Sequence, residues 1–276
     1  MTRLSLKDIV QKADEFPLLP RLAIELHKEL GDETTDVRRV ACLLTVEQAI
    51  AARALRLANS PFYGVSRPIG SIHEAVMLLG LDSVHAIVVA AAVAAFCHGR
   101  ALSRFDRMAF LRHGITAASC GRALAPELGV RVDVAFTAAL LHDIGTLAIA
   151  TCLPAQYAAV MARGPQQDGE WSAAERQLLG FDHAELGAAL AQRWNFDPAM
   201  QAAIRQHHSE SRTLLGDIVH TADEVAHQLQ GLASSGTRTA NGEEFAARFA
   251  PRRISMERVV KETVSTARLM LSLLEN

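Results

Sequence analysis

Apolar residues recur at helical spacing along nearly the whole chain. Leu22, Leu26 and Leu30 stand four apart, with Ala23 beside them. Leu43, Leu44, Ile50, Ala54, Leu55 and Ala58 carry the pattern through the next two predicted helices. Ala86 to Phe96 is an unbroken apolar run between His85 and His98, too short to span a bilayer, and predicts a buried helix. Polar residues sign the helix starts. Ser71-Ile-His-Glu74 and Ser172-Ala-Ala-Glu175 have the form of capping boxes, in which a hydroxyl caps an amide and the Glu reaches back. Asp197-Pro198 sets an acid before a proline at a first helical position. No stretch alternates with period two between hairpin turns, so strands are not predicted.

Three segments interrupt the helical pattern. Asn59 to Gly70 (NSPFYGVSRPIG) reads as a turn-rich connector, and residues 98–103 (HGRALS) as a join between two helical parts. Gly231 to Asn241 is small and polar and predicts a surface loop, after which Met256 to Leu274 returns to helix. The expectation is an all-α protein with an N-terminal helical subdomain over 1–100 and a C-terminal one over 101–276.

Composition sharpens this in a few respects. At 276 residues the chain can bury a sizeable core, and its alanine-rich, aromatic-poor makeup (5% aromatic) favours helix. A formal net charge of −2 gives no global drive toward nucleic acid or an anionic membrane, and neither partner is expected. Cys42, Cys97, Cys120 and Cys152 show no C-x-x-C spacing and read as reduced thiols of a cytoplasmic protein. The start, MTRLSLKDIVQKADEF, lacks the apolar stretch of a signal peptide.

The candidate chemistry is a scattered set of histidines and aspartates: His113, His142-Asp143 in LLHDIG, His183, His207-His208 and Asp223. Imidazole and carboxylate without thiolate suit a divalent transition metal. His142-Asp143 falls inside an apolar helical segment, AFTAALLHDIGTLAIA, where an unpaired Asp is costly to bury. Neighbours in a helix point about 100° apart. His207 and His208 are therefore not expected to reach one spot, and one of them would serve a second metal or an outer shell. His27, His73, His85, His98, His220 and His227 form no comparable set. Arg104, Arg107 and Arg112 make a basic stripe that reads as a solvated face. Asn59-Ser60 reads as a closure of backbone groups, and Trp194 and Phe196 as core anchors. No P-loop, G-x-G-x-x-G or G-x-S-x-G is present.

Several of these stretches resemble HDOD domains (HD-related output domains) of bacterial signalling proteins. They are FPLLPRLAIEL, ALRLANSPFYG, SIHEAVMLLGLDSVHAIVV, LLHDIGTLAI and GFDHAELGAALAQRWNFDPAMQAAIRQHH. The resemblance covers roughly residues 8–230. It implies an N-terminal helical bundle packed on a C-terminal HD-like helical domain, and a regulatory role through contact with a signalling protein partner. One local departure is Glu47-Gln48 where the family has Asp-Pro. Carried over from the wider HD superfamily, His113, His142, Asp143, His183, His207, His208 and Asp223 would be metal ligands, with Asp143 bridging. The implied cofactors are divalent ions (Fe, Mn, Ni or Zn), two of them at most. The alternative role is a metal-dependent phosphohydrolase acting on a nucleotide or cyclic dinucleotide. Against catalysis stand Thr146 in place of the lysine of LLHDIGK and the missing GYP segment. Ala109 stands where trinuclear relatives carry an acid, so a third metal is not expected.

Overall fold

The computed structural model describes residues 5–12, 26, 29, 36–46, 48–60, 63–98, 105–163, 168–235 and 254–274. Leu22, Ala23, His27, Leu30, Glu47, Arg104 and the join at 99–103 lie outside them. Among the described residues there are fourteen helices and no strand. Contacts within the chain divide it into two units: Met1–Leu18 with Gly99–Ala267, and Leu19–His98 with Arg268–Asn276.

The smaller unit contains α2 (Val37–Val46), α3 (Gln48–Ala58), α4 (Ile72–Leu79) and α5 (Leu81–His98). Its core is aliphatic: Val40, Leu44, Ala54, Leu57, Val76, Val84 and Val88 are fully or almost fully buried. The connector after α3 is held by one side chain. Asn59 donates through Nδ2 to the carbonyls of Leu55 (2.8 Å) and Ile69 (2.9 Å), and its Oδ1 accepts from the Ile69 amide at 2.7 Å. That is the backbone role the sequence suggested. Only half of the expected box at Ser71 forms. The hydroxyl accepts from the Glu74 amide at 3.0 Å, while the Glu74 carboxylate pairs with Arg67 at 2.7 Å.

The larger unit holds α1 (Leu6–Lys12), α6 (Arg107–Leu128), α7 (Val132–Leu141), α8 (Ile144–Cys152), α9 (Pro154–Ala162), α10 (Asp168–Leu179), α11 (His183–Arg193), α12 (Pro198–Gln206), α13 (Leu214–Ser235) and the first turns of α14 (Met256–Leu274). Helix α6 packs on α7 and α13, and α11 packs on α8 and α12. Small residues set these distances. A Cβ on Gly121 of α6 would lie 2.9 Å from the Ala135 carbonyl oxygen of α7. Ile115, Leu124, Phe136, Leu141, Leu147 and Ile149 fill the space around them. Val132–Cys152 is long and apolar enough to cross a membrane by length and composition, but 78% of its most apolar window is buried inside the protein, where it forms core.

Cys120 lies in this core. Burial pushes its thiol up to about 12, against a small opposing effect from the Thr263 hydroxyl. At pH 8 it is therefore a protonated, covered thiol. A maleimide reagent is expected to label Cys120 only after unfolding; rapid labelling of the native protein, located by peptide mass, would contradict the packing.

Three sequence expectations are corrected here. Ser172 does not start a helix: it lies in the interior of α10, buried, because the helix begins at Asp168. Gly231–Ser235 extend α13 and are not loop, since alanine and serine there tolerate helix once α13 is packed. Phe196 is a buried anchor, but Trp194 is only half-buried at the end of α11, edge-on to Phe196 with centroids 6.0 Å apart.

Candidate metal centre

Each predicted ligand sits where a helix begins, ends or faces the interior of the larger unit. His113 projects from the middle of α6. His142 and Asp143 are not inside a helix, as the apolar run suggested. They form the break between α7 and α8, His142 as C-cap and Asp143 as N-cap. His183 is the first residue of α11, set there by a capping box. The Asp182 carboxylate accepts from the Glu185 amide at 2.8 Å, and Glu185 accepts from the Asp182 amide at 3.2 Å. His207 and His208 follow the end of α12, and Asp223 lies on α13.

These seven side chains meet. Donor atoms of Asp143, His183, His207 and His208 all lie within 4.8 Å of one another, as do those of His113, His142 and Asp143, and those of His142, His207 and Asp223. Asp143 belongs to two of the groups. Its Oδ1 is 3.5 Å from His183 Nε2 and 3.7 Å from His207 Nε2, while its Oδ2 is 3.5 Å from His142 Nε2 and 3.9 Å from His113 Nε2. Asp223 Oδ1 lies 3.0 Å from His113 Nε2 and 3.5 Å from His142 Nε2. The expectation that His207 and His208 could not share a target is wrong. His207 keeps a helical backbone (φ −61°, ψ −23°), yet the two side chains turn toward each other, with ring centroids 3.9 Å apart.

Outer contacts fix the imidazoles. His142 donates through Nδ1 to the Ala139 carbonyl at 2.7 Å, and His207 through Nδ1 to the Ile204 carbonyl at 2.6 Å. His183 donates through Nδ1 to Glu175 at 2.6 Å, and its backbone amide donates to the same carboxylate at 2.8 Å. In all three rings Nε2 is left to face Asp143. Two pairs of Nε2 atoms also face each other, His113 with His142 at 3.2 Å and His183 with His208 at 3.0 Å. With both Nε2 atoms unprotonated, as metal ligands must be, such a pair makes no hydrogen bond. Ligands bonded to one cation at about 2.1 Å, however, are separated by roughly 3.0–3.4 Å.

The electrostatics agree with that geometry. Burial opposes charge on His142, but Asp143 and Asp223 outweigh it and lift the imidazole to about 9. Burial likewise opposes charge on His183, yet Glu175 and Asp143 raise it to about 9. Burial would raise the Asp143 and Asp223 carboxyls, but the surrounding imidazoles hold both well below the usual carboxylate range. His207 is lowered well below its ordinary value, by burial and then by His208, His142 and His183. It is a neutral ring with a buried Nε2 that has no protein partner. Two carboxylates held ionised, and imidazoles drawn toward the charged form, mark a space that demands positive charge; with the imidazole protons released, these residues could hold divalent metal.

A family model for the HDOD domain matches residues 16–210. The chain belongs to the HDOD domain family. It is 28% identical to a provisionally assigned phosphohydrolase from Shewanella amazonensis SB2B, with a TM-score of 0.73 over 96% of this chain and 97% of that one. An HDOD domain protein of unknown function from Geobacter sulfurreducens shares the fold at 24% identity and a TM-score of 0.67, over 98% and 95% of the two chains. An uncharacterised Treponema pallidum protein is 23% identical over 73% of this chain and 39% of its own length. Ribonuclease Y of Mycoplasma mycoides is 30% identical over 44% of this chain and 23% of its own length. The HDOD chain therefore matches well under half the length of these last two relatives.

Three residues of the HDOD site were not legible from the ligand pattern. Glu175, read as a cap, instead holds both the ring and the amide of His183. His220 donates through Nδ1 to the His207 carbonyl at 2.7 Å. His227 places Nε2 3.1 Å from Asp223 Oδ1, one turn along α13, and its ring centroid is 4.4 Å from that of His113. The spacing of four between Asp223 and His227 was the available signal, since such residues share a helix face. Glu175→Gln keeps the size of the side chain but removes the charge that orients His183. Its expected result is metal binding weakened about 10–100-fold, measured by chelator competition. Unchanged affinity would mean Glu175 serves the helix start alone.

Proposed function

We propose that this HDOD protein is a signalling protein whose larger unit holds two divalent cations and hydrolyses a phosphate ester. The observation that carries the reading is the position of Asp143 between two ligand groups, beside a buried His207 Nε2 with no protein partner. His113, His142 and Asp223 would hold one cation, His183, His207 and His208 the other, with Asp143 between them. Imidazole and carboxylate donors suit Mn, Fe, Ni or Zn. When bound, such a pair offsets the charge that builds on a phosphate as its ester bond breaks. The chain's own residues place and shield. The carbonyls of Ala139 and Ile204 and the carboxylate of Glu175 aim three imidazoles, and the packed core behind His142 and His207 keeps water from their far sides. The likeness to the Shewanella protein supports hydrolysis.

A second reading has the module act through a signalling protein partner, with the centre serving structure. Thr146 favours it, because no Lys or Arg is among the described residues lining the cleft at the centre. Elemental analysis followed by assay with p-nitrophenyl phosphate and bis-p-nitrophenyl phosphate under Mn or Fe separates the two. Two ions per chain with turnover is the expected result. Metal without turnover would leave only the structural role, and a metal-free protein after Mn loading would end both.

A further inference from the structure

Beside the ligand cluster lies a cavity of about 210 Å³, all of it within the larger unit. Its floor is the cluster. Its walls are Tyr157, Val160, Met161 and Trp171, with Thr146 near the floor. Tyr157 is held in place edge-on against Phe105, with centroids 5.7 Å apart, and Val160 is buried. Met161 remains 37% exposed at the rim, and Trp171 is half-buried.

Three physical limits follow. At about 210 Å³ the cavity lies below the roughly 300 Å³ at which sites for drug-sized ligands begin. The cavity opens to solvent past Met161, and of the two bases and two sugars of a cyclic dinucleotide it has room for only a part. Charge sets the second limit. The lining carries no Lys or Arg, so apart from imidazoles such as His227 and the hydroxyls of Thr146 and Tyr157, the cations of the proposed centre are the charge that meets phosphate. One phosphate is matched, whereas further phosphates of a polyphosphate would lie unpaired against apolar side chains. The third limit is shape. Trp171, Tyr157 and the Met161 thioether offer flat and polarisable surface, which suits a planar ring.

We infer that the site takes a phosphate monoester bearing one planar ring, such as an aryl phosphate or a nucleoside monophosphate, with the phosphate at the cluster and the ring against Trp171. The inference rests on the centre proposed above for its phosphate end only. The ring end depends on the walls, which carry no metal ligand. It narrows the substrate away from cyclic dinucleotides and from RNA.

The test reads binding as well as turnover. The chain has two tryptophans, so Trp194→Phe leaves Trp171 as the sole reporter. In the manganese-loaded variant, phenyl phosphate is expected to quench Trp171 fluorescence. It should bind about tenfold more tightly than methyl phosphate, the scale of one aromatic stacking contact. Calorimetry should show that Trp171→Ala removes this preference while leaving methyl phosphate affinity unchanged, and that Trp171→Phe keeps it. Adenosine monophosphate against phenyl phosphate then distinguishes a nucleoside from a simple aryl group. Equal affinity for phenyl and methyl phosphate, or tighter binding of a cyclic dinucleotide or an RNA oligomer, would overturn the inference. Selective binding of phenyl phosphate without hydrolysis would overturn only the hydrolase reading. Hydrolysis of diesters without a ring preference would overturn only this one.

Discussion

Asp143→Ala is expected to strip the protein of divalent metal altogether. Most ligand losses should weaken one position and spare the other. Asp143 differs because its two oxygens face opposite groups, Oδ1 toward His183 and His207 and Oδ2 toward His142 and His113. Its removal also takes away one of two carboxylates from a cluster rich in imidazoles, so cations would meet less negative charge. The measurement is metal content after loading with excess Mn and desalting. Wild type should retain about two ions per chain and the variant essentially none. His208→Ala, which lies outside the groups containing His113, is expected to lower the content to about one. If Asp143→Ala kept the wild-type stoichiometry, the bridging position would be wrong. Thermal melts give a second readout, because bound metal stabilises the folded state by mass action. Added Mn should raise the melting temperature of wild type and leave that of Asp143→Ala unmoved.

Gly145→Ala is expected to be the most destabilising single methyl addition in the larger unit. A Cβ there would stand 2.0 Å from the His183 carbonyl oxygen, 2.8 Å from the His183 carbonyl carbon and 2.9 Å from the Gly187 amide nitrogen. All three atoms are backbone, so no rotamer change relieves the clash; α8 and α11 must separate. Overpacking of this kind costs about 3 kcal/mol, at the upper end of the usual range. The separation would also carry His183 away from Asp143, because His183 is both the contacted residue and a predicted ligand. Denaturant unfolding and metal content should therefore fall together. Gly70→Ala, where nothing lies within 4 Å and the backbone is unstrained, is the control and should differ little from wild type. A Gly145→Ala protein as stable as the control would show that the helices are not in such close contact.

Much of this architecture could be read before any coordinates. The four-residue spacing of apolar positions sufficed for an all-helical chain, because that period has one structural meaning. Asp197-Pro198 marked a helix start that forms as expected, with the Asp197 carboxylate accepting from the Ala199 amide at 2.7 Å. Local signals misled where a longer-range partner competed. Ser172-Ala-Ala-Glu175 fits a cap, but Glu175 has a stronger partner in His183, eight residues on. Asp182-His-Ala-Glu185, the box that does form, encloses the ligand His183, so the same four residues carry both a helix start and a metal donor.

The family resemblance named the candidate ligands. His113, His142, Asp143, His183, His207, His208 and Asp223 match the HD-superfamily order, and they converge in space. What order could not supply was direction. Whether adjacent rings aim at one point depends on what each of them faces, here the Ile204 carbonyl for His207 and His183 Nε2, 3.0 Å away, for His208. How a histidine ring is aimed depends on the group that its Nδ1 meets, the Ile204 carbonyl one turn back for His207 and the Glu175 carboxylate of another helix for His183. Whether Gly145 is a spacer or a necessity depends on a helix forty residues away. The sequence by itself determined the helices, through local spacing, and, through its likeness to a known family, seven of the donors. Only tertiary structure decided that the donors surround one space, that Asp143 lies between two groups of them, and that an uncharged aromatic wall stands beside it. Those are distances between residues far apart in the chain, and packing alone sets them.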